Sequence, residues 1–145
     1  MHGTVAPCWK TVGAVDCWSQ DRSISDIWFG EHYENIRNNI SKDIFKGKCR
    51  DCKRDVDNGV WPLAKAYAKF PIKKYPSLME LELSNQCNLE CIMCSGELSS
   101  GIRKNRDKLP PLKQIYTDEF RQQLREFIPH LQELRFNGGE PFAQK

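Results

Sequence analysis

The apolar positions of the chain fall into short periodic stretches separated by polar ones. In "SISDIWFGEHYENIRNNISKDIF", Ile24, Ile27, Trp28, Tyr33, Ile36 and Ile40 recur mostly at helical intervals. This predicts a helix, a bend at Gly30 and a second helix, with Ser23 or Ser25 as N-cap. The charged, turn-rich "GKCRDCKRDVDNG" that follows reads as a loop carrying a Cys-x2-Cys knuckle. "WPLAKAYAKFP" adds a helical turn or two. Pro71 and Pro76 bracket "PIKKYP", and each proline restrains itself and the residue before it, so this stretch reads as a linker. The domain boundary is drawn there, with 1–72 as one module and 73–145 as the other.

Past the linker the period changes. "LMELELS", Leu78 to Ser84, alternates apolar and acidic positions imperfectly and predicts a strand. "NQCNLECIMC" follows directly. The polar, basic "SSGIRKNRDKLPPLKQ" reads as an excursion or loop. "TDEFRQQLREFIPHLQ" has Thr117 as N-cap and Phe120, Leu124, Phe127 and Ile128 on one helical face. "ELRFNGGEP" then predicts a strand from Leu134 to Asn137 running into a glycine turn. Strand, cysteine loop, helix, strand and glycine turn make one βαβ unit, with its chemistry on the loops that follow the strands.

Composition adds bounds. At 145 residues the chain fits one modest domain or two small ones, and is shorter than a complete α/β barrel of about 250 residues. Hydrophobic residues at 39% and charged residues at 28% describe an ordinary globular chain. No stretch approaches a spanning helix, and the start shows no secretory signal, so a cytoplasmic setting without membrane contact is expected. A net charge of +3, from 22 Lys and Arg against 19 Asp and Glu, could help with an acidic substrate but reads more readily as plain solvated surface.

Cysteine changes the picture more. Seven cysteines, an odd number without an export signal, argue for metal or redox chemistry rather than a disulfide framework. They form two groups, Cys8, Cys17, Cys49 and Cys52, then Cys87, Cys91 and Cys94. Thiolates select zinc, copper(I) or iron-sulfur clusters. Structural zinc needs four protein ligands, and the second group offers three with no histidine nearby. A four-iron cluster can take three thiolates and leave its fourth iron open to a small molecule.

The Cys-x3-Cys-x2-Cys loop after a first strand resembles the signature of radical S-adenosylmethionine (SAM) enzymes. The resemblance implies that Cys87, Cys91 and Cys94 hold three irons of a [4Fe-4S] cluster, with the amine and carboxylate of SAM on the fourth. Met93 stands where the family has a hydrophobic or aromatic residue against the adenine. Gly138, Gly139, Glu140 and Pro141 match the "GGEP" motif that lines the amino group of the SAM methionine. The chemistry so implied is reductive cleavage of SAM to a 5′-deoxyadenosyl radical, with electrons from a donor such as flavodoxin or ferredoxin. The residues themselves agree, since glycines let backbone approach a ligand and a carboxylate complements an ammonium. Asn85, Asn88 and Asn137 read as loop caps.

"GTVAPC", Gly3 to Cys8, followed by Cys49-x2-Cys52 resembles the twitch or SPASM modules that hold auxiliary clusters in radical SAM enzymes, here preceding the barrel. For Cys8, Cys49 and Cys52, with or without Cys17, an auxiliary iron-sulfur cluster, a structural zinc and unligated thiols all stay open. Trp9, Trp18 and Trp28 read as the small core of this module. The expected architecture is therefore α/β: a cysteine-rich twitch- or SPASM-like module, then the first βαβ part of a (β/α)6 radical SAM barrel. A chain ending after the second strand is expected to be a fragment, which puts catalysis by this stretch alone in doubt. The substrate is unknown, with peptide or protein suggested by the resemblance. Two rivals stand beside the enzyme. One is a non-catalytic zinc or iron-sulfur module whose "GIRKNRDK" contacts nucleic acid. The other is a simple electron carrier.

Overall fold

The computed structural model describes residues 3–8, 10, 15–47, 49–60, 66–67 and 69–143. Trp9 and most of the helical stretch expected at 61–70 lie outside the described residues. Contacts divide the chain into two compact units, His2–Ile72 with Asp118–Glu126, and Lys73–Thr117 with Phe127–Lys145. Among the described residues no helix is long and apolar enough to cross a membrane.

The first unit opens with β1 (Thr4–Val5) paired antiparallel to β2 (Asp16–Cys17), with Thr4 opposite Cys17. Helices α1 (Ile24–Trp28) and α2 (Glu31–Ser41) follow with the predicted bend between them. Ser23 caps α1 through a reciprocal capping box with Asp26, which satisfies two of the amide donors a helix start leaves open. Gly30 precedes α2 because any Cβ there would sit 2.3 Å from the Asp26 carbonyl oxygen. Trp18, Ile27 and Tyr33 are buried, each contributing on the order of 1.5–3 kcal/mol. Trp18 meets Phe120 edge-on at 5.1 Å and donates its indole N–H to Gln123 Oε1 at 2.9 Å. Trp28 packs beside Tyr33 at 5.6 Å and lies beneath the Arg37 guanidinium. Of the three tryptophans expected as the module's core, Trp18 is buried, Trp28 is half-buried and Trp9 lies outside the described residues.

One expectation fails here. Residues Cys49–Asp57 form a helix, α3, and not a loop. The turn residues bracket this helix instead of filling it: Gly47 precedes it, and Gly59, at φ +74°, follows it. Between them there is no glycine or proline, and the charges pair along the helix, Arg54 with Asp51 and Lys53 with Asp57.

An ion pair ties β2 to the turn before α1. Arg22 Nε donates to Asp16 Oδ1 at 2.7 Å and its Nη2 engages Oδ2. The Arg22 hydrogen bond, with the Cys17 N–H, holds the Asp16 carboxyl below the usual carboxylate range against the opposing effect of burial. Its folded-state pKa is thus below the unfolded value, so its stabilisation is complete above about pH 4 and is lost as pH falls through the folded-state value. Urea titrations followed by tryptophan fluorescence are expected to show stability falling below about pH 4, with Asp16→Asn less stable at neutral pH and less sensitive to acid.

In the second unit, β3 (Leu78–Glu82) pairs parallel with β4 (Glu133–Asn137), in register from Leu78 opposite Glu133 to Glu82 opposite Asn137. Both strands fall where alternation predicted them, and their parallel pairing is that of the expected βαβ unit. Among the described residues this sheet has two strands, part of a mixed α/β fold with small sheets. A second expectation fails between the strands. Ser100–Asn105 is a helix, α4, inside the stretch read as an excursion. Ser99 caps it by accepting the Ile102 N–H, and Ile102, with 0% exposure, anchors it in the core. Helix α5 (Asp118–Phe127) starts at the expected point after Thr117, and its residues as far as Glu126 belong to the first unit. Ile128 leaves the expected helical face: Pro129 cannot donate into an α-helix, so Ile128–His130 forms a 3-10 turn and Ile128 is exposed. Phe127 is 1% exposed and meets Tyr75 edge-on at 5.4 Å.

Candidate metal centre

The loop that leaves β3 carries Cys87, Cys91 and Cys94. Cys91 is exposed and the other two are half-buried. Its path is held by hydrogen bonds at both ends. Asn85, itself buried, donates from Nδ2 to the Gly96 carbonyl at 3.0 Å, closing the loop at its base. Asn85 thus does what a loop cap does. Cys94 N donates to Cys91 O at 3.0 Å, making the tight turn that the two-residue spacing allows. Leu89 N points at Cys87 Sγ at 3.4 Å. Beyond Cys94, Arg106 Nη2 donates to the Cys94 carbonyl at 2.9 Å, and Asp107 accepts the Gly96 N–H at 3.1 Å.

The glycine turn after β4 lies against this loop. Gly139 N donates to Leu98 O at 3.0 Å and Glu140 N to Gln86 O at 2.8 Å. Parallel register explains the meeting, since β3 and β4 end together at Glu82 and Asn137 and release both loops from one edge. Gly138 and Gly139 have φ of +76° and +63°, conformations an L side chain rarely adopts. A Cβ on Gly139 would stand 2.5 Å from the Gln86 carbonyl oxygen. The approach of the two loops therefore depends on the missing side chains. Met93, at 86% exposure, and Phe142, at 98%, are open to a ligand. Glu140 accepts the Phe142 N–H at 3.1 Å. Pro141 begins the 3-10 turn that ends the described chain.

The first group of cysteines is distributed differently. On α3, Cys49 and Cys52 are three residues apart and so share a helical face. Burial pushes the Cys49 thiol up, and the charges of Cys8 and Cys52 push it further. Cys8 therefore lies within electrostatic reach of α3. Burial likewise raises Tyr33, with Asp16 and Cys8 adding to it. Cys17 is exposed on β2.

Among the described residues, no three His, Cys, Asp or Glu side chains converge to hold a single metal ion. Zinc requires its ligands about 2.3 Å from one centre. A cluster instead distributes its thiolates over separate irons.

Residues missed by sequence reasoning are those that hold the loop: Ser99, Ser100, Arg106 and Asp107. The Ser-Ser pair before Gly-Ile is a helix-cap signal that could have located the first two.

A family model for SPASM, an iron-sulfur cluster-binding domain, matches residues 1–53. That span contains Cys8, Cys17, Cys49 and Cys52, while Cys87, Cys91 and Cys94 lie outside it. No curated protein and no solved structure matches the chain. The N-terminal part of the chain is thus similar to an iron-sulfur cluster-binding module of the twitch or SPASM kind that accompanies radical SAM enzymes.

Proposed function

We propose that the chain is the cluster-binding part of a radical SAM enzyme, with an auxiliary iron-sulfur site in its first unit and the SAM-binding site in its second. The observation that carries this reading is the pair of hydrogen bonds, Gly139 to Leu98 and Glu140 to Gln86, that brings the glycine turn onto the three-cysteine loop. Cys87, Cys91 and Cys94 would hold a [4Fe-4S] cluster, which when bound supplies the electron for reductive SAM cleavage. The chain's own residues do the positioning. Gly138 and Gly139 keep the turn close, Glu140 offers a carboxylate to the methionine ammonium, and Met93 offers an apolar contact to the adenine. Cys8, Cys49 and Cys52 would hold the auxiliary cluster, with Cys17 as a further thiol of the same unit. The remaining strands of a barrel, the substrate, with peptide or protein as its class, and a flavodoxin- or ferredoxin-like electron donor belong to the same reading.

The structure lends less to the nucleic-acid alternative. Arg103 is engaged by Glu97 and by the Pro110 carbonyl, and Arg106 by Cys94 and Asp107. These guanidinium groups hold the protein's own loops. The electron-carrier alternative lacks a fourth thiolate in the second group.

Anaerobic reconstitution with iron and sulfide, followed by electron paramagnetic resonance of the reduced chain with and without SAM, tests the proposal. Two signals are expected, one shifting on SAM addition and one indifferent to it. Zinc without iron, or signals that ignore SAM, would sink the enzyme reading in favour of a binding module or carrier.

A further inference from the structure

We infer that Ser100 is a positioning residue for the three-cysteine loop: its hydroxyl fixes the backbone of Cys87 and aims the first thiolate before any cluster is bound. Ser100 Oγ accepts the Cys87 N–H at 3.1 Å and donates to the Cys87 carbonyl at 3.0 Å. One hydroxyl thus engages both backbone polar groups of one cysteine. The Gly101 N–H adds a second donor to the same carbonyl at 3.2 Å, and the Ser100 N–H donates to Asn85 O at 2.7 Å. The neighbouring Ser99, 1% exposed, donates to the Leu89 carbonyl at 2.7 Å. Leu89 is the residue whose N–H points at Cys87 Sγ.

The same short segment reaches the glycine turn, because Leu98 O accepts the Gly139 N–H. Residues 98–101 therefore join the cysteine loop and the glycine turn through backbone and hydroxyl groups alone. Within these four residues, position 100 is where a side chain, and not the backbone, bonds to a cysteine. With the hydroxyl present, the Cys87 N–H is committed to Ser100 and the sulfur receives its hydrogen bond from Leu89. Without it, the Cys87 N–H is released and can turn towards sulfur. An added N–H donor near cluster sulfur favours the more negative, reduced state and so raises the potential.

The cluster half of this inference rests on the proposed function, and the loop half does not. Amide hydrogen exchange in the metal-free chain separates them. The Cys87 amide is expected to be protected in the wild type although the residue is only half-buried; rapid exchange there overturns the proposal, whatever any variant does. Ser100→Ala is expected to speed that exchange about tenfold. Ser100→Thr, which keeps the hydroxyl, is expected to restore it. Ser84→Ala, which removes a hydroxyl bonded to Gln86 N and to no cysteine, is expected to leave it unchanged. Equal exchange in Ser100→Ala and wild type refutes the positioning role.

After reconstitution, Ser100→Ala is expected to show a more positive midpoint potential at unchanged iron content, and Ser100→Thr to return it to the wild-type value. A wild-type chain that takes up no iron at this loop, while its Cys87 exchange still depends on Ser100, supports the positioning role and sinks the cluster reading instead.

Discussion

Replacing Cys91 by alanine is expected to abolish the SAM-responsive cluster signal while leaving the first unit's iron in place. Three thiolates are the fewest that leave one iron of a four-iron cluster open, and a chain reduced to two has no local replacement. Cys91 is the exposed member of the three, and its backbone carbonyl, which closes the turn to Cys94, survives the substitution. Stability is therefore expected to change by less than about 0.5 kcal/mol, the range for surface positions. A folded chain without this cluster is the signature of a lost ligand. Iron and sulfide analysis, paramagnetic resonance with and without SAM, and urea unfolding together check it. Full iron content and intact SAM cleavage in the variant would refute the assignment of Cys91.

Gly139→Ala is expected to cost more stability than Gly138→Ala, although both residues have positive φ. A left-handed non-glycine residue alone costs about 1–2 kcal/mol. At Gly139 the new Cβ also meets backbone, the Gln86 carbonyl oxygen at 2.5 Å and the Asn85 carbon and Gln86 nitrogen at 3.0 Å. Those atoms belong to the start of the cysteine loop and cannot swing aside. At Gly138 the tightest contact, 2.3 Å, is to Glu82 Cγ, which a turn about that side chain's first bond must carry away, and the nearest backbone atom, the Ser84 carbonyl oxygen, is at 3.3 Å. We expect roughly 3 kcal/mol or more for Gly139→Ala and about 1–2 for Gly138→Ala. Against a typical domain stability of about 5–15 kcal/mol, the first is a large fraction. Displacing residue 139 also strains the bond from Glu140 N to Gln86 O, so SAM binding is expected to weaken with it. Urea unfolding and SAM titration of both variants check the order, and equal costs would mean that the glycine turn is not pressed against the loop.

Helices α1 and α2 were legible in the sequence because apolar residues at helical spacing, a serine cap and an interrupting glycine all agree locally. The two strands were legible for the same reason at period two. Helices α3 and α4 were not. In α3 the charges that suggest a loop are partners of one another along the helix, as Lys53 is of Asp57. In α4 a single buried residue, Ile102, and a serine cap outweigh a basic, proline-flanked sequence.

The sequence by itself determined the donor chemistry of the candidate centre: the number and spacing of its thiolates, and the glycines able to take a left-handed turn. Those properties reside in covalent order and in single residues, and need no partner. Tertiary structure alone decided that Gly139 and Glu140 reach Leu98 and Gln86, that Cys8 comes within reach of α3, and that Ser100 holds Cys87. Each of these joins residues distant along the chain or in different elements, and their meeting is set by strand register and helix placement, which no local pattern encodes.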